Sequence, residues 1–323
     1  MDKSKKIDRN KKIRLVVIGV SVILFIGIST FIGYLVYDGS VGSSQKIKNE
    51  EVLEVFSSRE NKPLERLKNY EYEDVFIDSP ENGYKIEAKL IKSNIKTDKT
   101  VILVHGIESY YYEYLDKAYE YLEKGYNAVI YNQRHTGNTG GEDYTFGLYE
   151  RYDLENVAKF IHERYPNGLL GVHGHSMGAA TALMHSSLNE KNKYVDFYII
   201  DSPYHEMADA VRLGIEAKNI PLLPVGYAKF MGDIYTQVKS GFSYEDVKPY
   251  KEVQNITTPM FLIHGKEDKV CSPQSSKIIY ENIPHDKKEL WLIDNVQHVN
   301  GYDILGDEYF NRIFNFIDKN VNN

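Results

Sequence analysis

A pentapeptide near the middle of the chain constrains the fold more than any other stretch. Residues 174–178 read Gly-His-Ser-Met-Gly, follow the apolar run Leu169–Val172 and precede small residues that suit a helix. A serine in this spacing lies on a tight turn with a positive φ angle, and the flanking glycines let strand and helix approach closely. The pattern predicts a strand, a sharp turn and a helix, with Ser176 projecting from the top of a sheet.

The composition limits the kind of protein. A chain of 323 residues can form one large α/β domain with a sizeable core and a short appendage. The formal charge is −7 and no basic stripe lies beyond the N-terminus, which argues against a nucleic-acid partner. The single Cys271 cannot form an internal disulfide, so the fold does not depend on oxidation.

The N-terminus has the pattern of a membrane segment. An uncharged apolar run extends from Leu15 to Val36, and a bilayer core of about 30 Å needs roughly 20 helical residues. Basic residues dominate the stretch before it, which favours a cytoplasmic N-terminus. We predict a basic cytoplasmic tail at 1–14, a single transmembrane anchor at 15–37 and an extracytoplasmic domain at the cell membrane. The alternative is a signal peptide cleaved near residues 42–44, which would give a secreted protein.

After the anchor, the chain divides into a polar spacer and one long domain. Residues 38–68 are rich in Gly and Ser and then in charge, and we predict a stalk. Residues 69–323 open with two β-prone runs around a turn signal at 79–83 and then alternate short apolar strands with helices. The predicted strands are Tyr72–Asp78, Tyr84–Lys92, Val101–Val104, Ala128–Tyr131, Leu169–Val172, Phe197–Ile200, Met260–Ile263 and Leu290–Ile293. Helices are predicted at Tyr111–Lys124, Leu148–Arg164 and Phe310–Lys319.

This alternation predicts an α/β fold with a mostly parallel, eight-stranded sheet flanked by helices, because buried parallel strands read as continuous apolar runs. The alternation pauses at about 203–255, where several short helical patterns occur. A segment this long without a strand predicts a short helical cap.

Two further polar residues follow strand ends. Asp268 comes just after the strand at Met260, and His298 lies in the turn after the last strand. The chain order Ser176, Asp268, His298 is that of α/β-hydrolases and differs from the order in chymotrypsin-like or subtilisin-like proteases. A serine hydroxyl needs an imidazole to take its proton, and a carboxylate fixes the imidazole tautomer. Other candidates for the carboxylate are Glu267, Asp294 and Asp201.

With these motifs in order, the chain from about Tyr72 onward resembles the α/β-hydrolase fold superfamily. It is most similar to the serine aminopeptidase-like and monoacylglycerol-lipase-like group. The resemblance rests on His105-Gly106 after a strand, on the G-x-S-x-G turn and on the Asp268 and His298 pair. It implies a Ser-His-Asp triad and an oxyanion hole built from the backbone N–H groups of Ile107 and Met177.

The same resemblance guides the expected pocket. His105, Gly106, His175 and Tyr204 are predicted to bind substrate, with His175 packing beneath the turn of Ser176 and not acting as the base. Residues 132–141 resemble the R-G-H-G-x-S loop of the family and are expected to shape the pocket floor.

No metal or cofactor is predicted. Four histidines, His105, His173, His175 and His264, lie at strand ends and suggest a metal cluster at first sight. No two of them have the i, i+4 spacing of ligands on a helix, and none belongs to a Cys or carboxylate ligand pattern. Structural roles with backbone partners are the expectation for them.

These features predict a serine hydrolase that cleaves a small acyl or lipid-like ester through an acyl-enzyme on Ser176. One alternative is an aminopeptidase or amidase of the same fold, in which cap acids hold a substrate ammonium: Glu206, Asp209, Glu216 and Asp233. Another is a surface-binding protein on a non-catalytic hydrolase scaffold. The expected partners are a small ester or peptide-like substrate and the membrane, and the oligomeric state is left open.

Overall fold

An eight-stranded sheet forms the centre of the computed structural model, which describes residues 3–42, 56 and 62–321. The strands stand in the order β1-β2-β4-β3-β5-β6-β7-β8. β2 is antiparallel to β1 and β4, and the other neighbouring strands run parallel. The strands are β1 (Tyr72–Ser79), β2 (Tyr84–Ile91), β3 (Thr100–Val104), β4 (Asn127–Tyr131), β5 (Leu170–His175), β6 (Phe197–Asp201), β7 (Met260–Gly265) and β8 (Lys288–Ile293).

Helices precede, connect and follow the strands. They are α1 (Lys3–Asp38), α2 (Pro63–Leu67), α3 (Leu115–Glu123), α4 (Glu150–Arg164), α5 (Met177–Asn192), α6 (Met207–Lys218), α7 (Val225–Ser240), α8 (Pro249–Glu252), α9 (Pro273–Asn282), α10 (Gly301–Leu305) and α11 (Asp307–Asn320). The helix predicted at Tyr111–Lys124 is a 3-10 turn at Tyr111–Tyr114 continued by α3.

Both faces of the sheet are covered. In β3, Val101 and Leu103 point into one core with α3 and α11, whereas Ile102 and Val104 point into a second core with α4 and α5. Alternate side chains of a strand face opposite sides, so a strand buried on both sides is apolar throughout. The predicted α/β fold with a mostly parallel sheet is confirmed.

The segment from 203 to 255, called the cap below, connects β6 to β7 through α6, α7, α8 and two 3-10 turns. It packs over the start of α5 in a third apolar cluster that includes Met177, Tyr204 and Met207. This cluster also takes in Tyr37 in the last turn of α1 and Val41 just after that helix. The cap therefore covers the end of the sheet at which β5 turns into α5.

α1 is long and apolar enough to cross a membrane over Arg9–Asp38, with a mean hydropathy of 2.7 in its most apolar stretch. Its length, composition and N-terminal position fit a membrane anchor or a signal sequence. Residues 38–42 of the predicted stalk lie beside the segment between β4 and α4, where Tyr144 donates its N–H to the carbonyl of Val41 at 3.0 Å. Most of the remaining stalk, 43–55 and 57–61, lies outside the described residues.

Candidate active site

Ser176 occupies a strained turn between β5 and α5, with φ 54° and ψ −118°. The turn is tight because a Cβ on Gly178 would lie 2.1 Å from the carbonyl oxygen of Val104. A Cβ on Gly174 would lie 2.3 Å from the carbonyl oxygen of Gly178. Only glycine allows backbone contacts this close, so the sequence Gly-x-Ser-x-Gly is what holds the serine at this angle.

His298 joins Ser176 to Asp268. The Ser176 hydroxyl donates to Nε2 of His298 at 2.9 Å, and Nδ1 of His298 donates to Oδ2 of Asp268 at 2.7 Å. Since the carboxylate only accepts, it fixes the proton on Nδ1 and leaves Nε2 free to accept from serine. The structure thus brings together three side chains from separate strand ends.

The Asp268 carboxylate has partners on both oxygens. Oδ1 accepts the N–H groups of Val270 at 2.8 Å and Cys271 at 2.9 Å, and Oδ2 also accepts from Nε2 of His264 at 3.0 Å. Burial acts to raise the pKa of Asp268, but the hydrogen bonds from His264 and His298 outweigh burial and hold that pKa well below its usual range. Asp268 is therefore ionised throughout the neutral range.

The sequence reasoning did not identify His264 as a partner of Asp268. It is fully buried at the end of β7, and its Nδ1 accepts from the hydroxyl of Ser276 at 2.7 Å. The Asp268 carboxylate is therefore held by two imidazoles, His264 and His298, which both bond to Oδ2. The spacing of four residues between His264 and Asp268 is the sequence feature that could have indicated this contact.

The other candidate acids have different partners. Asp201 accepts hydrogen bonds from Tyr309 at 2.7 Å and from Ser202 at 2.8 Å, and Asp294 pairs with Lys266 at the surface. Ser202 in turn accepts the N–H of Val299, the neighbour of His298, at 3.2 Å. Asp201 thus supports the loop that carries the histidine without touching its ring.

The loop after β3 lies beside Ser176. A Cβ on Gly106 would stand 3.4 Å from the Cβ of Ser176, and Ile107 lines the same cavity as Ser176 and Met177. Met177 is the first residue of α5, so its N–H has no acceptor within the helix. Two backbone segments suited to an oxyanion thus flank the serine.

His105 fixes that loop from below. Its Nε2 accepts the N–H of Gln133 at 2.8 Å, so Nδ1 carries the proton and donates to the carbonyl of Gly106 at 2.7 Å. Burial lowers the pKa of His105 to about 4, which keeps the ring neutral. Gln133 belongs to the predicted pocket-floor loop at 132–141 and also accepts the Thr181 hydroxyl at 3.0 Å.

His175 lies beneath the turn, fully buried, with neither ring nitrogen hydrogen-bonded. It stacks on His173 with ring centroids 4.2 Å apart. Ligand atoms of His173, His175 and Asp201 all lie within 4.8 Å of one another and could hold a cation. However, both nitrogens of His173 are bonded to tyrosines, Tyr121 and Tyr309. These bonds engage the lone pair that a metal would need, which favours a packing role for the pair.

A cavity of about 350 Å³ opens above Ser176. Of the residues predicted to bind substrate, Tyr204 lies on its wall, and its hydroxyl donates to the carbonyl of Phe146 at 2.8 Å. His105 and His175 are fully buried behind the wall, so their influence on a substrate passes through the residues in front of them. Ile32, Leu35 and Val36 of α1 also line the cavity, a contribution with no counterpart in the sequence predictions.

The sheet order, the strained serine and its hydrogen-bonded histidine define the class of protein: an α/β-hydrolase. The chain matches the family model Hydrolase_4, described as serine aminopeptidase, S33, over residues 95–252 and 247–303, and it belongs to that family. The predicted resemblance is confirmed, and the protein is an enzyme of the esterase- and lipase-like α/β-hydrolases.

Individual relatives agree with this placement. The uncharacterized protein YqkD of Bacillus subtilis is 28% identical over 242 residues, which cover 73% of this chain and 76% of the relative. The monoglyceride lipase of Saccharomyces cerevisiae is 24% identical, covering 68% of this chain and 85% of the relative. An esterase structure from Pyrococcus furiosus superposes with a TM-score of 0.63 at 26% identity, covering 80% of this chain and 95% of that one.

Proposed function

We propose that the protein is a serine esterase that forms an acyl-enzyme on Ser176. The observation that carries the proposal is the continuous hydrogen-bonded series from Ser176 through His298 to Asp268. In the first step, His298 takes the hydroxyl proton as Ser176 attacks the ester carbonyl, and then gives it to the leaving alcohol. In the second step, water attacks the acyl-enzyme with His298 again acting as base and then as acid.

The backbone N–H groups of Ile107 and Met177 are proposed to hold the oxyanion. Their support is the position of both residues beside Ser176 on the cavity wall. Removing one such donor typically costs about 2.7–4 kcal/mol of transition-state stabilisation, so the loop after β3 matters to rate as much as a side chain. His105, which fixes this loop, is a positioning residue in the proposal.

An ester is favoured over a peptide N-terminus by the charge around the cavity. Asp209 and Glu216 are both paired with Arg212, at 2.6 and 2.7 Å, and Asp233 accepts the N–H of Tyr244 at 2.8 Å. An aminopeptidase needs a carboxylate directed at the substrate ammonium. Among the described residues that line the cavity, Glu108 is a carboxylate and Lys218 and Lys269 are cations, and most of the others are aliphatic or aromatic. A neutral, apolar acyl group suits such a wall.

The test is hydrolysis of p-nitrophenyl butyrate by the purified full-length protein, with an aminoacyl p-nitroanilide as the competing substrate. We expect turnover of the ester, little of the anilide, and loss of ester turnover in Ser176→Ala. Full activity in Ser176→Ala would refute the assignment, and a faster reaction with the anilide would favour the aminopeptidase. If neither substrate is hydrolysed, the result would favour the alternative of a non-catalytic binding protein.

We also propose that α1 is an uncleaved, single-pass anchor with a cytoplasmic tail at 1–14 and the domain outside. The basic tail and the length of the apolar helix support this orientation. Protease added outside intact cells should remove the domain. Complete protection would contradict the external location, and release of intact domain without protease would indicate a cleaved signal peptide.

A further inference from the structure

α1 and α7 lie side by side and run in the same direction. Near the start of α7, Ser29 and Tyr227 share a hydrogen bond between hydroxyls at 2.6 Å. At its end, the hydroxyls of Tyr37 and Ser240 share another at 3.0 Å. The cap helix therefore follows the last turns of the apolar helix, with the N-terminus of α7 pointing back along it.

Two glycines bring these helices into close contact. A Cβ on Gly33 would lie 2.6 Å from the carbonyl oxygen of Met231, and a Cβ on Gly232 would lie 2.4 Å from Cγ1 of Val36. Small residues that let backbones approach are typical of helix pairs in a bilayer. The contact fixes the depth of the cap relative to the anchor.

With α1 as the proposed anchor, that depth would place the start of α7 inside the membrane. Val36 ends the apolar run, and Ser29 precedes it by about 10 Å at 1.5 Å per helical residue. An apolar run of this length fills a hydrocarbon layer of about 30 Å. If α1 spans the bilayer, Tyr227 and the loop before it lie below the surface of the extracytoplasmic leaflet.

The loop that precedes α7 has the uncharged, apolar composition that suits the interior of a lipid leaflet. Residues 219–228 carry no charge, and both Ile220 and Leu222 are exposed. Leu222 is fully exposed and holds φ at 63°, a backbone state that asparagine or glycine adopts more readily. Phe230 and Val238 extend the exposed apolar surface along α7. An exposed apolar surface of this kind favours aggregation in water, whereas in a bilayer it can pack against lipid chains.

The cavity extends to the same loop. Ile220 and Leu223 of this loop line it together with Ile32 and Leu35 of α1, and the same cavity reaches Ser176. An acyl chain leaving the lipid layer between α1 and α6 would thus meet mostly apolar walls on its way to the serine, with Glu108, Lys218 and Lys269 as the charged residues of the lining.

We propose that residues 219–228 are immersed in the extracytoplasmic leaflet, and that the substrate is an ester of a membrane-resident lipid, whose acyl chain enters laterally with α1 as one wall of its site. The anchor is then part of the substrate site as well as a tether. The substrate assignment rests on the proposed esterase function, whereas the immersion does not.

Immersion is tested on the full-length protein in phosphatidylcholine vesicles. An environment-sensitive NBD fluorophore is attached at Leu222→Cys and, as a matched control, at Ile95→Cys. Ile95 is 56% exposed but precedes β3, at the end of the parallel strands opposite Ser176. The unsubstituted protein reports any labelling of the buried Cys271.

We expect blue-shifted emission at position 222 and quenching by doxyl groups on the lipid chains, with water-like emission at position 95. Equal quenching at both positions would overturn the proposal. A probe at 222 that is shielded from water but not quenched from the lipid would indicate a second copy of the chain on this surface, and would also overturn it.

The substrate is tested by comparing Leu222→Asp with Ile95→Asp. Aspartate suits the left-handed backbone at 222, so folding is preserved. With p-nitrophenyl palmitate in vesicles, Leu222→Asp should lower turnover about tenfold, since charge is costly in lipid. With p-nitrophenyl acetate in water, both variants should stay within about twofold of the parent, as exposed substitutions usually do.

Equal turnover of the palmitate ester by parent and Leu222→Asp would refute lateral entry. If the parent hydrolyses neither ester, the proposed esterase function fails, and the fluorescence measurement still decides whether the loop is immersed.

Discussion

At the scale of single residues, burial separates the histidines around Ser176 by role. His298 is partly exposed and bonded to Ser176, whereas His175 is fully buried without a hydrogen-bond partner. We predict that His298→Ala lowers kcat by roughly 10⁴ to 10⁶-fold, as removal of a triad base does. His175→Gln should keep much of the activity, because it removes packing and not the base.

Ester turnover, corrected for folded fraction by thermal melting, distinguishes the two variants. A His175→Gln enzyme that is folded yet as inactive as His298→Ala would assign His175 a direct part in the chemistry.

A second residue-scale prediction concerns pH. Burial lowers the pKa of His105 to about 4, while the unfolded chain titrates near 6.5. Between these values the unfolded state binds the extra proton, so the free energy of unfolding falls as pH falls. From pH 7 to pH 5 we expect His105 to contribute a loss of about 2 kcal/mol.

The measurement is chemical denaturation of the detergent-solubilised protein at both pH values. His105→Gln, which does not titrate, should lose less stability than the parent by this amount. An identical loss in both proteins would contradict the buried, neutral state of His105.

At single residues, sequence reasoning predicts position where a pattern fixes the local backbone. The turn at Ser176 was predictable because glycine spacing dictates it, and the places of Asp268 and His298 because each follows an apolar strand. Their catalytic roles stay predictions. The contact of His264 with Asp268 and the tautomer of His105 were not predictable in this way. Both depend on which loops meet in three dimensions, and a histidine at a strand end looks the same in sequence whatever it contacts.

At the scale of elements, the pair α1 and α7 is set by close backbone contact. Gly33 faces Met231, whereas Gly27 on the same helix has no atom within 4 Å of its Cβ position. We predict that Gly33→Ala destabilises the protein by about 1–3 kcal/mol through overpacking. Gly27→Ala should be neutral or slightly stabilising, because alanine favours the helix.

Melting temperatures of the two variants in the same detergent give the comparison. Equal melting temperatures would mean that α1 does not pack on the cap as described.

The strands of the sheet can be predicted from the sequence, whereas the packing of α1 against α7 cannot. The strands follow from short apolar runs bounded by polar turns, and their parallel order follows from the helices between them. The packed face of α1 carries no such signal, because its apolar run is uniform and does not distinguish one side of the helix from another. Ser29, Gly33 and Tyr37, spaced by four residues, mark that face only once the contact is known.

At the scale of the whole molecule, one cavity links the serine to the apolar helix. The sheet presents Ser176, Asp268 and His298 at one end, the cap covers that end, and α1 closes the cavity from the side. If α1 served only to attach the protein to a membrane, this wall of the cavity would be formed by residues of the cap alone. The apolar helix, the cap and the hydrolase domain thus enclose one continuous cavity beside Ser176.

The central claim is that Ser176 is a nucleophile activated by His298. Its most direct test is labelling of the full-length protein with a fluorophosphonate, followed by mass spectrometry of the peptides. We predict one adduct per chain on the peptide that contains Ser176, much slower labelling in His298→Ala and none in Ser176→Ala. An unlabelled parent protein, or an adduct that persists in Ser176→Ala, would contradict the account.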